Sequence, residues 1–358
     1  MLFFNTLSFL YLRYFFIVLI ALGSFMIGFD LMENAADLPT SANLVLIYIM
    51  YKLFYAVDMM LPISLVLAMV ASLVELVRTN AMVAYYAIGY SKKRVIAPFL
   101  VLATVILGIY IALHATSFAR ANEYADNLRT SSEIIRPTSN LFFTHEGNYI
   151  YFGNLYPLIR KAEDIRIFTF SNGHFSEALS AKEALYQDGY WVINKAHLVH
   201  PPKTLDLKGD GIVIENSENL KVLHDFKPKI LDQVYEGKVN FTIGDGLEAL
   251  TLLKNQNVDV RKIKSSLYRI FISPWFAPIL MIVLFASTPV SGRFFNLSLF
   301  SFSAILATLL VWGILFMMGE LAANKTIPPE VGTIAPIVFL LSVMTLRLSR
   351  FRIKSRKI

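Results

Sequence analysis

The sequence predicts a polytopic α-helical membrane protein with six transmembrane helices, grouped three and three, and an extracytoplasmic all-β, jelly-roll-like domain inserted between the groups. Three observations predict this fold class: a shortage of charge, six long intervals without charge, and a polar middle segment with the pattern of short strands. Of 358 residues, 56% are hydrophobic and 16% are charged, whereas about a quarter of a soluble domain is charged. The chain therefore has too little charge to cover a water-facing surface of its size.

The six intervals are long enough to cross a membrane, which takes about 20 apolar residues as a helix. Their charged boundaries lie at residues 13–30, 58–75, 94–120, 269–293, 293–320 and 330–347. They divide the chain into a first bundle at 1–119, a polar middle at 120–264, and a second bundle with a basic tail at 265–358. The first interval also resembles a signal peptide, but its apolar run continues past the small residues at 21–23, which favours a retained span.

The basic residues indicate the orientation of these spans. The chain carries 33 Lys and Arg against 26 Asp and Glu, a net charge of +7. Ten of the basic residues, and no acidic ones, lie between spans two and three and in the tail after span six. By the positive-inside rule both termini face the cytosol, and the polar middle lies on the opposite side. The basic excess is therefore a topology signal, and we predict no nucleic-acid binding.

The polar middle has the pattern of an all-β domain. Short runs rich in β-branched and aromatic residues occur at 149–152, 165–170, 190–194, 197–200, 212–215 and 220–223. Asn-Gly at 172–173 and Asp-Gly at 188–189 and 210–211 favour tight hairpin turns between such runs. This spacing is typical of a sandwich, a jelly roll or an open barrel. From residue 245 to 270 the pattern turns helical, which predicts an amphipathic connector to span four.

The chain offers no clear constellation for catalysis. It has no cysteine, which excludes disulfides, thiolate metal sites and cysteine nucleophiles. No G-x-x-x-x-G-K-[ST] motif occurs, so the chain does not hydrolyse nucleotides with a P-loop. The G-x-G-x-x-A match at 244–249 lacks a βαβ unit, and His197 and His200 point to opposite faces of a strand. We therefore predict a chain that is not an enzyme and that binds no cofactor or metal.

The segment between spans two and three predicts a short cytosolic helix at about residues 76–91. Met82, Tyr85, Tyr86 and Gly89 follow helical spacing, so a methionine and two aromatic residues share one face of a helix that a glycine ends. A helix at the cytosolic surface must bury such a face in the membrane interface or in a partner. The residues alone leave both interpretations open.

These features, in this order, resemble the LptF/LptG (YjgP/YjgQ) family of lipopolysaccharide-export ABC permeases. The resemblance rests on the three-plus-three topology around a β domain, on Ala87-Ile-Gly89-Tyr-Ser91 before three basic residues, and on Pro62 in span two. It rests also on the span-four pattern at 268–274, 286–289 and 293, and on Ile-Pro-Pro at 327–329. It covers essentially the whole chain. Asp30 after span one is more similar to G-type than to F-type members.

The resemblance implies a permease subunit that extracts lipopolysaccharide from the outer leaflet of the bacterial inner membrane. The lipid would pass through a periplasmic β-jelly-roll bridge toward the outer membrane. The implied partners are a second homologous permease, which makes an F/G heterodimer, a cytosolic ATPase dimer of the LptB type, and periplasmic jelly-roll proteins of the LptC and LptA types. ATP and Mg would be bound by the partner ATPase and not by this chain.

The resemblance also implies roles for particular residues. The ATPase-coupling helix would use Arg78, Ala81, Met82, Tyr85, Tyr86 and Gly89. Ala81 departs from the family, which usually has a glutamate there, so docking would depend more on Met82 and the two tyrosines. The walls of a lipid cavity would include Phe25, Phe29, Phe300, Phe302, Phe316 and Met317. The polar candidates at the outer mouth, with both lysines expected in outer loops, are Asp30, Glu33, Lys52 and Lys325.

Two other classes of membrane protein share some of these features: a mechanotransmission-type ABC permease and a membrane transferase. A mechanotransmission-type ABC permease acts on periplasmic partners without passing substrate through its spans, and it also needs a coupling helix. Six spans and repeated hairpins count against that class. A membrane glycosyl- or acyltransferase is disfavoured because the spans hold no carboxylate pair or nucleophile. His114, near the outer end of span three, is a candidate proton-relay group that we expect to reach water at the interface.

Overall fold

The computed structural model describes residues 2–131, 137–145, 147–157, 159–171, 174–202, 211–224, 242–253, 260–291 and 296–355. The chain divides into two compact units. The helical unit comprises Met1–Arg129, Thr242–Gly244 and Arg261–Ile358, and the β unit comprises Thr130–Phe241 and Asp245–Val260. The predicted turns at 172–173, the residue at 210, the charged boundary at 293 and the last three residues lie outside the described residues.

The described α-helices include long apolar helices and short helices that connect them. In chain order they are α1 (Leu2–Glu33), α2 (Ala42–Arg78), α3 (Ala81–Ala87), α4 (Lys92–Leu113), α5 (Ala121–Ser131), α6 (Ile243–Leu253), α7 (Arg261–Phe271), α8 (Phe276–Ser287), α9 (Leu297–Ala323) and α10 (Ala335–Ser355). A π-helix, Glu330–Ile334, leads directly into α10.

Six helical stretches within the described residues are long and apolar enough to cross a membrane, which confirms the predicted number. They are α1, α2, α4, the pair α7 and α8, α9, and the π-helix with α10. Two of these helices are longer than the charge-free intervals that predicted them. α1 includes Arg13, and α2 includes Lys52 and Asp58, so these charged residues lie inside helices and not at their ends. The buried charges among these are paired within the helical unit, so they do not end a helix.

The core of the helical unit lies around α2. α1 packs against α2 and α4, α8 packs against α2, α4 and α10, and α9 packs against α2, α7 and the π-helix. Leu65, Met69 and Leu73 of α2 are fully buried in this core, and Phe99 of α4 packs into the same cluster. Such packing is the main source of helix association where water does not drive it.

The β unit holds one six-stranded antiparallel sheet. Its strands are β1 (Thr138–His145), β2 (Asn148–Tyr156), β3 (Lys161–Ser171), β4 (His174–Gln187), β5 (Tyr190–His200) and β6 (Val213–Val222), hydrogen-bonded in sequence order. Asp188 and Gly189 have φ of 50° and 85° between β4 and β5, which confirms the hairpin turn predicted there. Alternate residues fill the core of the unit, with Phe152 and Trp191 at its centre.

The strands are longer than the sequence runs that predicted them. The runs at 190–194 and 197–200 belong to one strand, β5, and those at 212–215 and 220–223 both contribute to β6. The sequence pattern did not predict β1 or β4. The predicted connector at 245–270 contains α6 and α7 on either side of residues that are not described.

The predicted fold class is confirmed: six membrane-length helices accompany a separate, inserted β domain. Within the described strands the order is that of a meander, in which every strand pairs with its neighbour in sequence.

The close packing of the π-helix on α9 predicts a strict requirement for glycine at position 332. A Cβ atom built on Gly332 lies 2.5 Å from the Cβ of Ala322 and 2.8 Å from the carbonyl oxygen of Met318. We expect Gly332→Ala to lower the free energy of unfolding by about 1–3 kcal/mol, because backbone must move to admit the methyl group. Unfolding in detergent micelles, followed by far-UV circular dichroism, measures this.

Gly313 in α9 provides the matched control, since a Cβ there meets nothing within 4 Å. Gly313→Ala should leave the free energy of unfolding within about 0.5 kcal/mol or raise it slightly, because alanine favours helix. Equal effects of the two substitutions would contradict the packing argument.

Candidate functional site

The candidate coupling helix, α3, is shorter than predicted and separate from α2. Residues 76–78 belong to α2, which ends at Arg78. Asn80 then adopts the left-handed conformation, with φ of 57°, and turns the chain into α3. This asparagine breaks the continuous helix that was predicted at 76–91.

Gly89 ends α3 as the sequence predicts. It has φ of 95°, its N–H donates to the carbonyl of Tyr86 at 3.0 Å, and the next N–H, from Tyr90, donates to the carbonyl of Tyr85 at 3.1 Å. This pair of bonds is the Schellman motif, which requires a left-handed residue. The Ser91 hydroxyl then accepts from the Arg94 N–H and caps α4.

The aromatic face of α3 is covered by the chain itself. Met82 is 1% exposed and belongs to the core of the helical unit. Phe3 of α1 stacks on Tyr90 at 4.1 Å between ring centroids and contacts Tyr85 edge-on at 4.9 Å. Tyr86 is half-buried, and this burial raises the pKa of its hydroxyl. The prediction was that docking would depend on Met82, Tyr85 and Tyr86 together; within this chain Met82 is buried, whereas the two tyrosines are partly exposed.

The exposed side of α3 carries different residues. We call Val83, Ala84, Ala87 and Ile88 the docking face, because all four are exposed and lie on one side of this short segment. Ile88 is 74% exposed, which is unusual for an isoleucine. Exposed basic residues flank it on both sides: Arg78 before α3, and Lys93 and Arg94 after it.

The position that departs from the family, Ala81, is half-buried against the core. The carboxylate near α3 is instead Glu75, which accepts a hydrogen bond from the hydroxyl of Tyr14. Glu75 and Arg78 line a groove among α1, α2 and α9. In the sequence, Glu75 marks only the charged end of an apolar interval, and its position in this groove was not predicted.

The lipid-cavity candidates divide into two groups. Phe25 and Phe29 of α1 and Phe302, Phe316 and Met317 of α9 are exposed on the helical unit, where lipid or a partner chain can reach them. Phe300 is 7% exposed and packs into the core of the helical unit, unlike the other five candidates. Its neighbours on α9 face outward because 300 and 302 lie on opposite sides of a helix.

The outer-mouth candidate Lys52 also differs from the prediction. It lies within α2, not in a loop, and is 7% exposed. Its Nζ lies 3.1 Å from Asp30 Oδ1, 3.3 Å from Asp126 Oδ1 and 3.0 Å from Asn122 Oδ1. The Tyr48 hydroxyl donates to Asp30 as well. Lys52 is thus neutralised by two carboxylates and does not present its charge to a lipid phosphate.

The other outer-mouth candidates remain accessible. Glu33 is exposed at the end of α1, Lys325 is exposed in the turn after α9, and Asp30 is half-buried beside Lys52. Of this set, Asp30 contacts Lys52, and that contact is an ion pair within the chain. Among the described residues, no cluster of three or more His, Asp or Glu side chains has the arrangement of a metal site.

His114 is buried and paired, which corrects the expectation that it reaches water. Its Nε2 lies 3.0 Å from Asp58 Oδ1, and its Nδ1 lies 2.9 Å from the carbonyl oxygen of Tyr110. The Tyr110 hydroxyl donates to the same Asp58 oxygen at 2.9 Å. This cluster joins α2 to the end of α4 and satisfies a carboxylate inside the helical unit.

The chain was compared with models of known protein families. A family model described as "Lipopolysaccharide export system permease LptF/LptG" matches residues 7–350. The chain belongs to the LptF/LptG family. A search of curated proteins found no match.

Membership in the LptF/LptG family agrees with the resemblance read from the sequence and extends over both bundles and the β unit. An LptF/LptG protein is a permease component of lipopolysaccharide export, a multi-pass protein of the inner membrane that works with other components of that system. The family description covers both types, so the assignment to the G type stays a prediction.

The burial of Lys52 between carboxylates predicts a large effect of its removal. We expect Lys52→Ala to lower the free energy of unfolding by about 3 kcal/mol, because Asp30 and Asp126 then keep charges without their cation. The measurement is chemical unfolding of the detergent-solubilised protein. Lys93→Ala, at an exposed position of α4, should change stability by less than about 0.5 kcal/mol.

A second variant separates lost charge balance from lost packing. Replacing Lys52 by Met together with Asp30→Asn and Asp126→Asn removes the whole set of charges, and it should recover most of the stability that Lys52→Ala loses. If Lys52→Ala were no more destabilising than Lys93→Ala, the ion cluster would not hold α1, α2 and α5 together.

Proposed function

We propose that this chain is the permease subunit of an ABC transporter that extracts lipopolysaccharide from the outer leaflet of the inner membrane. It passes the lipid through a periplasmic bridge of β domains toward the outer membrane. It works beside a second homologous permease, an LptB-type ATPase dimer that binds ATP and Mg, and periplasmic LptC- and LptA-type proteins. Family membership supports the export role, and the docking face of α3 is the observation that supports coupling to an ATPase.

The docking face fits this role because it is apolar, exposed and rigidly held. Val83 and Ile88 project from a helix whose other side, at Met82, is fixed in the core of the helical unit. A force applied to the docking face is therefore transmitted to α2 and α4 through packed side chains rather than through a flexible loop. The flanking arginines and lysine lie at the cytosolic side by the positive-inside rule, where the ATPase must bind.

This orientation places both termini in the cytosol and the β unit in the periplasm. The exposed aromatic residues of α1 and α9 then face either bilayer lipid or the second permease. Phe29 and Phe302 supply apolar surface without a fixed hydrogen-bonding geometry, which suits several acyl chains of variable packing. The inner face of the sheet, with Ile150 and Ile193 at 0% exposure, is likewise apolar.

The coupling proposal predicts the result of a co-purification experiment. The chain with Val83→Asp and Ile88→Asp, expressed in its cellular background, should lose the ATPase at least tenfold but keep the second permease, because carboxylates at the docking face oppose an apolar contact. Detergent pull-down followed by quantitative mass spectrometry measures both partners. Ile159→Asp, at an exposed isoleucine of the β unit, is the matched control and should retain both.

Two results would overturn the proposal. Retention of the ATPase by the Val83→Asp, Ile88→Asp variant would place the coupling contact elsewhere, and recovery of the wild-type chain without either partner would end the transporter assignment. Met82→Asp is unsuitable as a docking probe, because it buries a carboxylate in the core and should unfold the chain.

A second experiment distinguishes passage through the spans from mechanotransmission. Photo-reactive phenylalanine analogues at positions 29 and 302 should form crosslinks to lipopolysaccharide during transport, since both side chains are exposed. The same analogue at the buried position 300 should not. If lipopolysaccharide is exported while neither exposed position crosslinks to it, the mechanotransmission alternative is favoured.

A further inference from the structure

A pocket in the helical unit contains charges of both signs beside aromatic walls. It lies among α2, α7, α9 and the π-helix. Its charged side chains come from Asp58, Arg269 and Glu320, and its walls include Tyr55, Trp312 and Phe316. Trp312 and Phe316 stack with ring centroids 5.7 Å apart. None of the residues of the docking face lines this pocket. Tyr55 connects it to the cluster around Lys52, whose Nζ lies 5.7 Å from the centroid of the Tyr55 ring.

The three charged groups of the pocket differ in their partners within the chain, and Arg269 also lies near enough to Asp58 to interact with it electrostatically. Asp58 is already bonded to His114 and Tyr110. Arg269 and Glu320, both among the described residues, form no ion pair with each other, yet each interacts electrostatically with Tyr55. A guanidinium and a carboxylate therefore line one pocket without neutralising each other by contact.

This arrangement selects for a zwitterion. A ligand with only a phosphate, bound at Arg269, would be repelled by the carboxylates of Glu320 and Asp58. A ligand with only an ammonium group, bound at Glu320, would be repelled by the guanidinium. A ligand that carries both charges satisfies both side chains at once. The guanidinium favours a phosphate, and two residues with hydroxyl side chains, Ser273 and Thr333, are also among those that line the pocket. A carboxylate beside a tryptophan favours an ammonium group.

The surroundings of the pocket indicate a membrane lipid rather than a soluble metabolite. Glu320 is exposed near the end of α9, three residues before that helix ends, so the polar part of the pocket lies near the end of a membrane-length helix. Phe316 and Met317, four and three residues before it and thus about one helical turn away, are exposed. A charged end followed by apolar surface matches a head group followed by acyl chains.

We propose that this pocket binds the head group of a zwitterionic aminophospholipid, in which a phosphate diester is joined to a primary ammonium. Arg269 binds the phosphate, Glu320 accepts hydrogen bonds from the ammonium, and Trp312 and Phe316 contact the ammonium methylene groups and the start of the acyl chains. This inference does not depend on the proposed ATPase coupling.

The test is native mass spectrometry of the full-length chain, released from detergent micelles that contain equal amounts of phosphatidylethanolamine, its N-methyl and N,N-dimethyl derivatives, phosphatidylcholine and phosphatidylglycerol. We expect one retained lipid, with retention falling as N–H donors are replaced by methyl groups, and at least tenfold preference for phosphatidylethanolamine over phosphatidylcholine. This series needs no substitution in the protein. Equal retention of phosphatidylglycerol, or no methylation dependence, would overturn the proposal.

Substitutions then assign the two ends of the head group. Glu320→Gln should abolish the preference for phosphatidylethanolamine over phosphatidylcholine, whereas Arg269→Gln should reduce retention of every phospholipid at least tenfold. Glu33→Gln and Arg347→Gln change exposed residues outside the pocket and should leave the wild-type pattern. Arg269→Lys keeps the positive charge and should retain part of the binding. A wild-type pattern in Glu320→Gln contradicts the assigned role of that carboxylate.

Soluble phosphoethanolamine distinguishes a lipid site from a site for a free aminoalkyl phosphate. Because it lacks acyl chains, we expect it to compete at least a hundredfold more weakly than the lipid. Competition equal to that of the lipid would overturn the membrane-lipid part of the proposal.

Discussion

A lysine in an apolar helix needs a counter-charge, and Lys52 of α2 finds one on each of two other helices of the helical unit. Its ammonium group lies within 3.3 Å of carboxylates from α1 and α5. The desolvated charge is stable only while both helices stay in place, since removing one partner leaves an uncompensated ion. The contact of His114 Nε2 with Asp58 Oδ1, at 3.0 Å, likewise connects the end of α4 to α2. Polar contacts thus fix the relative positions of helices whose apolar surfaces alone would pack in several ways.

The sequence predicted the elements whose signal is local and failed where pairing decided the structure. Long charge-free intervals identified all six spans, because hydrophobic length is set by the membrane itself. β4 was missed because its sequence, rich in Ala, Glu and Leu, favours helix, and hydrogen bonding to β3 and β5 overrides that preference. β1 was missed because Phe142 is exposed between buried Leu141 and Phe143, which hides the alternation of a strand.

For the candidate site, periodicity found the apolar face of α3 but not what covers it. Met82 and Tyr85 share a face, as their spacing indicates, yet that face meets α1 and the core, and the exposed surface carries Val83 and Ile88. A single sequence contains no information on which distant segment reaches a given face. The same limit explains Lys52, whose partner Asp126 lies 74 positions later in the chain. Tertiary contacts, and not local pattern, separate a docking residue from a core residue.

The stacking of Phe3 on Tyr90 has a mechanical consequence. α1 is one helix of 32 residues, about 48 Å long at 1.5 Å per residue, and no proline interrupts it. One end contacts the turn that follows α3 through Phe3, and the other end carries Phe29 and Asp30. A displacement of that turn is therefore passed to a helix that is held along its length by the core and, near its far end, by the ion pair of Asp30 with Lys52. α1 thus connects the contact at Phe3 with the carboxylate at Asp30 through one unbroken helix, so the two ends of the helical unit cannot move independently of each other.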